Sequence, residues 1–291
     1  MLLSALAYMR PSLWIHVTRR TLSSDCLTYS SSPDDISALR SRIFDSEDAS
    51  WHPSYVELHN VMTMCERSDW LAARASFIQH GQQVAIVIRN PNSLAIHLSP
   101  TPDHRVSDGN RGEVRDALVS MLAALEPLLS QTKRLAIRSY GACKDVILAE
   151  LPTFTMTFDE PSGKLYVPKG GTSTFYENGL PECPPGFYFD SIDVESEAQL
   201  VHDAWALRAL HGPDVLSNQH TLRPYRSSGL GSIAARALMV KYFEINLRVN
   251  AHVTHENKKG VLWGELGYMD WHRDATTGEP YVYHATLFER Q

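Results

Sequence analysis

The chain has 291 residues, 43% of them hydrophobic and 21% charged, which are the proportions of a globular protein with a substantial core. A formal net charge of −6 gives no reason to expect nucleic acid as a partner, because nucleic-acid-binding surfaces carry a basic excess. The sequence also lacks an apolar run of about 20 residues, the length of a membrane-spanning helix, so we expect no membrane partner.

Residues 1–31 have the composition of a targeting or a disordered segment. Their first 24 positions contain three arginines, several serines and threonines, and no acidic residue. This pattern is typical of a mitochondrial transit peptide, and a disordered start has the same composition. The four cysteines of the chain lack C-x-x-C spacing and predict reduced thiols. We therefore expect a mitochondrial or a cytoplasmic location.

A mixed α/β half is predicted from residue 32 to residue 158. Ser32-Pro33-Asp34-Asp35 is a helix-start signal, and Ile36, Leu39 and Ile43 follow at helical spacing. Turn signals at Gly81 and at 90–92 separate the first strands. Strands are predicted at 70–79, 83–89, 94–98, 135–138 and 154–158, and helices at 112–130 and 142–148. Residues 159–186, rich in glycine and proline, form the predicted linker.

The second half, residues 187–291, contains a glycine-rich turn. A strand at 187–192, a helix at 195–210 and a strand at 215–222 are predicted before it. In Arg226-Ser227-Ser228-Gly229-Leu230-Gly231 the glycines allow a tight turn and a close approach of the backbone to a ligand. A helical pattern follows at once, and the first N–H groups of a helix have no partner within it. The segment therefore predicts an anion site, although an ordinary helix entry has a similar sequence.

The remaining elements continue the mixed pattern. Leu247, Val249, Ala251 and Val253 alternate with polar residues and predict a half-buried strand. A short helix is predicted at 256–266. The tail predicts a hairpin with strands at 268–273 and 280–288 around a turn at 274–279.

This order of elements resembles the GNAT superfamily of acetyl-CoA-dependent acyltransferases: strand, R-x-x-G-x-G, helix, strand, N-x-x-G, helix, L-G-Y, hairpin. The segment H-T-L-R-P-Y-R-S-S-G-L-G at 220–231, with E-N-K-K-G at 256–260 and L-G-Y at 266–268, is most similar to the glycine N-acyltransferase family. The resemblance is specific over residues 215–291 and looser upstream. It implies an α/β fold of the α+β type, with two GNAT-like mixed-sheet halves, of which only the second has a CoA loop.

The family resemblance implies an N-acyltransferase that moves an acyl group from acyl-CoA to glycine or a similar small amine by direct attack. Acyl-CoA would be a co-substrate, and no tightly bound cofactor is expected. Backbone N–H groups of the loop would hold the CoA pyrophosphate. The implied CoA-binding residues are Thr221, Leu222, Arg226, Ser227, Ser228, Gly229, Leu230, Gly231 and Asn257. For Asn257, capping of the next helix is the alternative.

The spacing before the glycine-rich turn departs from the family. Only 20 residues separate Trp205 from Arg226, and a β-hairpin alone needs roughly 15 residues. The second half is therefore predicted to lack a hairpin. This departure leaves an alternative function, a non-catalytic CoA-binding or partner-binding relative.

The general base is not fixed by the sequence. An amine must lose a proton to attack a thioester, and the family has a glutamate where this chain has Val215. The neighbouring Asp214 is a candidate base or a loop acid. His220 is a candidate base, because histidine titrates near neutral pH, or a core residue. Many GNAT enzymes have a tyrosine at the position of Trp263 that protonates the leaving thiolate.

A metal site is not expected. The chain has thirteen histidines, but His252 and His255 lack a cysteine or acidic partner at ligand spacing.

Overall fold

A computed structural model of the protein describes residues 26–81, 83–90, 93–99, 111–171, 180–188, 230–254, 269–274 and 277–291. The α-helices within these residues are α1 (Pro33–Ile43), α2 (Val56–Cys65), α3 (Asp69–Ala72), α4 (Arg111–Leu129), α5 (Lys144–Glu150) and α6 (Leu230–Glu244). The β-strands are β1 (Cys26–Ser30), β2 (Ala75–His80), β3 (Gln83–Asn90), β4 (Ser93–Ser99), β5 (Arg134–Tyr140), β6 (Phe154–Tyr166), β7 (Asn250–Val253), β8 (Asp270–Trp271) and β9 (Tyr283–Arg290). Short 3₁₀ turns lie at Asp48–Trp51, Gly141–Cys143 and Lys169–Gly171.

The chain divides into two compact units. The larger unit includes the described residues up to Lys169 and from Arg248 onward, and it contains the nine strands. The smaller unit includes the described residues from Gly170 to Leu247 and contains α6. None of the helices within the described residues is both long and apolar enough to cross a membrane.

The strands of the larger unit form one mixed sheet. Their order is β1-β2-β3-β4-β5-β9-β6-β7, and β8 also pairs with β6. Among these described strands, β4 and β5 form the parallel pair, connected by α4, and the other neighbours are antiparallel. The last strand in the chain, β9, lies between β5 and β6. The predicted mixed α/β fold is therefore confirmed, with the nine described strands in one large mixed sheet.

Helices cover both faces of the first strands. Val84 and Ile86 of β3 pack in a core with α1 and α2, whereas Ala85 and Val87 pack with α4 and α5 on the other side. A strand buried on both faces is continuously apolar rather than alternating, and β3 shows this pattern. The predicted helix α1 is confirmed, with the Ser32 hydroxyl accepting the N–H of Asp35 at 3.2 Å.

The predicted strand at 70–79 is wrong at its start. Ser68 caps the short helix α3 by accepting the N–H of Leu71 at 3.4 Å. The guanidinium of Arg74 then lies 4.5 Å from the ring centroid of Trp70. These local interactions fold the segment as a helical turn, so β2 begins only at Ala75.

Strand β6 is longer than predicted and takes in residues 159–166 of the predicted linker. The glycine and proline content of residues 159–186 had predicted a linker there. However, β6 pairs with β9 as far as Ser162 and with β7 from Gly163 onward. Proline is tolerated in a strand where no ladder bond is needed on one side. Gly163 lies against Trp271, and a Cβ there would come within 2.4 Å of the indole.

Two other segments differ from expectation. Residues 26–30, placed in the N-terminal segment by composition, form β1, whose Tyr29 packs in the core under α1. In the predicted tail hairpin, the turn at 274–279 is closed by the N–H of Asp274 donating to the carbonyl of Glu279 at 2.8 Å. The two flanking segments pair with each other at the base of this turn, where Arg273 and Pro280 form an antiparallel bridge and the N–H of Tyr281 donates to the carbonyl of His272 at 2.9 Å. Farther from the turn, β8 pairs with β6, and β9 lies between β5 and β6.

Candidate functional site

Most of the predicted CoA site lies outside the described residues. Leu230 and Gly231 are the first two residues of α6, so the helix that the sequence predicts at this point begins within the last two residues of the glycine-rich segment. Ala237 and Val240 of this helix are buried. The predicted residues outside the described ranges are Asp214, His220, Thr221, Leu222, Arg226, Ser227, Ser228, Gly229 and Asn257. Their roles stay predictions.

The larger unit contains a buried charged cluster centred on Glu57. The Glu57 carboxylate accepts hydrogen bonds from the ammonium of Lys164 and from Nε2 of His252, the latter at 3.1 Å. Nε2 of His97 lies 3.9 Å from the same carboxylate. Lys164 also donates to the carbonyl of Pro53, and its side chain is only 1% exposed. We call Glu57, Lys164, His97 and His252 the Glu57 cluster.

Helix α2 and three strands position this cluster. Glu57 lies in the first turn of α2, where the helix dipole favours a negative charge. Lys164 of β6 pairs in register with His252 of β7. Cross-strand partners in register project from the same face of a sheet, so both side chains reach the carboxylate beneath α2.

Glu57 and Lys164 form an ionised pair. Burial raises the pKa of the Glu57 carboxyl, but the charge of Lys164 and the hydrogen bond from His252 outweigh burial and leave this pKa well below its usual value. Burial lowers the pKa of Lys164, and the Glu57 charge opposes that change. Since the Lys164 ammonium and the Glu57 carboxylate are in direct contact, the charge of each compensates the charge of the other.

The histidines of the cluster are neutral at physiological pH. Burial lowers the pKa of His97 to about 3 and the pKa of His252 to about 4. A neutral His252 that donates through Nε2 has Nδ1 free to accept, and the Ser162 hydroxyl lies 3.5 Å from Nδ1. The hydrogen bonds of the cluster therefore fix the tautomer of His252.

A chain of buried hydroxyls lies beside the cluster. The Tyr283 hydroxyl donates to the hydroxyl of Tyr140 at 2.7 Å and lies 2.5 Å from Nδ1 of His272. The Tyr140 hydroxyl is in turn 3.3 Å from that of Ser54. The Lys164 ammonium lies 5.3 Å from the centroid of the Tyr283 ring. Burial raises the pKa of both tyrosines, which stay protonated.

The Glu57 cluster is a positioning network rather than a metal centre. No group of three or more metal-ligating side chains in binding geometry occurs among the described residues. Within the cluster, the ammonium of Lys164 contacts the Glu57 carboxylate, which a metal ion would need as a ligand. Because the ammonium of Lys164 and the carboxylate of Glu57 are in direct contact, the cluster holds the neighbouring polar groups in place.

Sequence reasoning did not find this cluster. Its members come from positions 57, 97, 164 and 252, which only the sheet order brings together. One signal was present. Glu57 is the single acidic residue in the otherwise neutral helix α2, and Lys164 directly precedes the apolar residues Leu165-Tyr166-Val167 in the sequence. Charged residues at such positions are rarely buried unless they are paired.

Comparison with known proteins shows that the fold of this chain is similar to those of several solved structures. No family model matches the sequence, and no curated protein matches it either. A crystal structure of a Drosophila protein is similar with a TM-score of 0.61 at 14% identity, covering 91% of this chain and 98% of the other. A GCN5-related N-acetyltransferase from Kribbella flavida has a TM-score of 0.45 at 14% identity, covering 84% and 96%. One from Sphaerobacter thermophilus has a TM-score of 0.42 at 12% identity, covering 91% and 95%.

Proposed function

We propose that the protein is an N-acyltransferase that moves an acyl group from acyl-CoA to glycine or a similar small amine. The observation that carries the proposal is the position of α6, which begins at Leu230, directly after the first glycine of the R-S-S-G-L-G segment. The first turn of a helix offers unpaired N–H groups to a phosphate. Glycines at 229 and 231 let the backbone approach that phosphate closely.

The proposed reaction is a single displacement. The amine nitrogen attacks the thioester carbonyl, a C–N bond forms, and the C–S bond breaks to release CoA thiolate. A general base takes one proton from the amine, and Asp214 and His220 are the candidates for this role. The thiolate then takes up a proton.

Binding of CoA is tested by thermal unfolding. CoA at about 100 times its dissociation constant stabilises a folded chain by about 2.7 kcal/mol, which raises Tm measurably. Gly229→Val removes the close backbone approach and is expected to abolish the CoA-dependent shift. Gly112→Ala is the matched control, because a Cβ at Gly112 meets no atom within 4 Å. A cooperative melt that CoA does not shift contradicts the proposed site.

Catalysis is tested by the release of CoA thiol from acetyl-, benzoyl- or phenylacetyl-CoA in the presence of glycine or glutamine. We expect turnover with at least one pair and a loss of kcat in either Asp214→Asn or His220→Gln. A chain that binds CoA but releases no thiol with any pair contradicts the enzyme and favours the non-catalytic alternative.

A further inference from the structure

The smaller unit interrupts a hairpin of the larger unit. The chain leaves the larger unit after Lys169 and returns to it at Arg248. Strands β6 and β7, which flank this interval, are antiparallel neighbours, and the N–H of Val167 donates to the carbonyl of Val249 at 3.0 Å just beyond their ladder. Neighbouring strands lie about 4.8 Å apart. The points where the chain leaves and re-enters the larger unit are therefore close together.

The point of return is anchored by residues of the larger unit. The side-chain amide of Asn60, on α2, donates to the carbonyl of Arg248 and accepts the N–H of Arg248, both at 2.7 Å. The guanidinium carbon of Arg248 lies 3.8 Å from the centroid of the Trp51 ring, and Nη2 donates to the Ser50 hydroxyl at 3.3 Å. Arg248 is only 4% exposed. We call Ser50, Trp51, Asn60 and Arg248 the base clamp.

Helix α6 completes its own hydrogen bonds before the chain returns. The N–H of Asn246 donates to the carbonyl of Phe243 at 3.0 Å, and the N–H of Leu247 donates to the carbonyl of Tyr242 at 2.8 Å. Asn246 has a φ of 61°, the left-handed conformation that ends many helices and that asparagine adopts more readily than most residues. The hydrogen bonds that close α6 therefore end at Leu247, and those that anchor the hairpin of the larger unit begin at the next residue.

The buried apolar residues follow the same division. Among the described residues, the two core clusters that pack on the sheet are formed by residues within 26–154 and 281–288, which belong to the larger unit. The buried side chains of α6 belong to the smaller unit and are Ala235, Ala237, Met239, Val240 and Phe243. Contiguous parts of a protein often open as separate cooperative units, each with its own free energy.

We propose that the smaller unit opens as a separate cooperative unit while the larger unit keeps its sheet. The base clamp and the hydrogen bond from Val167 to Val249 hold the two ends of the opened segment together, so the ladder of β6 and β7 stays intact. The entropy lost by fixing the ends of a flexible segment grows only slowly with its length. Opening is therefore a conformational device that takes α6 out of the native state without unfolding the sheet.

The test is native-state hydrogen exchange of the full chain, followed by mass spectrometry at increasing urea concentrations. Amides of α6 are expected to exchange through one urea-dependent opening. Amides of β5 and β9 are expected to exchange about 100-fold more slowly or slower still, through a second opening. The segment 163–169, which contains Val167, is expected to exchange with β9, because the base clamp holds it in the larger unit.

Two matched core variants separate the openings. Met239→Ala removes apolar volume from α6 and is expected to speed exchange of α6 about tenfold or more, with β9 unchanged. Ile86→Val removes one methyl group from the core of the larger unit and is expected to speed exchange of β9 about two- to tenfold, with α6 unchanged. Asn60→Ala loosens the base clamp, and segment 163–169 is then expected to exchange together with α6.

Several results overturn the proposal. Exchange of α6 and β9 through one common opening contradicts it, as does faster α6 exchange in Ile86→Val. Exchange of α6 at the rate of an unstructured peptide without urea also contradicts it, because the smaller unit would then not be a cooperative unit. The base clamp is wrongly assigned if segment 163–169 exchanges with α6 in the wild-type chain, or if Asn60→Ala leaves its exchange unchanged.

One consequence rests on the proposed function. Leu230 and Gly231, the last residues of the glycine-rich segment, belong to α6 and to the smaller unit. CoA bound there is expected to slow exchange of α6 and to leave β9 unchanged, because a ligand stabilises only the unit that it binds. If CoA slows neither while α6 and β9 exchange through two openings, the proposed CoA site is contradicted and the separate opening is supported.

Discussion

Lys164 carries its ammonium in the interior of the larger unit, where burial of an isolated charge is costly. Its hydrogen bonds to Glu57 and to the carbonyl of Pro53 compensate this cost. A buried pair of this kind contributes little compared with two apolar residues, but loss of one partner leaves the other charge unpaired. The pair therefore specifies how α2 sits on β6 more than it adds net stability.

We predict that Lys164→Met destabilises the protein by about 3–5 kcal/mol, because the Glu57 carboxylate stays buried without its main counter-charge. The double variant Glu57→Gln with Lys164→Met is expected to lose much less than the sum of the two single variants. Denaturant unfolding of all three variants measures this coupling.

Lys169→Met is the control for the Glu57 and Lys164 variants. Lys169 pairs with Asp48 at the surface, where both side chains are more than half exposed, and exposed pairs contribute little. The interpretation of Glu57 and Lys164 as an ionised pair is wrong if the effects of the two single substitutions simply add.

Helix α1 is determined by residues that are close to one another in the sequence, among them its N-terminal cap, Ser32. We predict that Ser32→Ala destabilises the protein by about 1 kcal/mol, since the N–H of Asp35 loses its acceptor. Ser37→Ala, at an exposed position within the same helix, is the control and should be neutral or slightly stabilising. Equal urea midpoints for the two variants would show that the cap contributes nothing.

Strand β6 depends on a close approach between Gly163 and Trp271. We predict that Gly163→Ala destabilises the protein by about 1–3 kcal/mol, because the new Cβ would lie 2.4 Å from the indole ring and forces it to move. Trp271→Leu in the same background should recover part of this loss. Thermal unfolding of both variants measures the effect, and an unchanged Tm for Gly163→Ala contradicts the geometry.

These elements show why the sequence predicted part of the fold. Helix α1 has its cap, its acidic first turn and its apolar row within a dozen residues, so local pattern suffices. Local pattern does not suffice for strand β6. Its Pro161 and Gly163 are tolerated in a strand only because β6 pairs with β9 and β7 and because Gly163 lies against Trp271. The Glu57 cluster was likewise hidden, since residues 57 and 164 meet only once β9 and β6 are in place.

At the scale of the whole molecule, buried histidines couple stability to pH. Burial lowers the pKa of His97 to about 3, of His252 to about 4 and of His272 to about 3. In the unfolded chain a histidine has a pKa of about 6.5. At pH values between the folded and the unfolded pKa, the unfolded state binds more protons than the folded state. The free energy of unfolding therefore falls as the pH falls.

We predict that this loss begins near pH 6.5 and continues to about pH 4, because each of the three histidines contributes a slope of up to about 1.4 kcal/mol per pH unit. Urea midpoints measured from pH 7.5 to pH 4.5 give the slope for the intact protein. His252→Gln and His97→Gln each remove one titrating group, so each variant is expected to show a shallower dependence than wild type, whatever its stability at pH 7.5. If both variants keep the wild-type slope, these histidines are accessible to protons in the folded state, and the burial of the Glu57 cluster beneath α2 is contradicted.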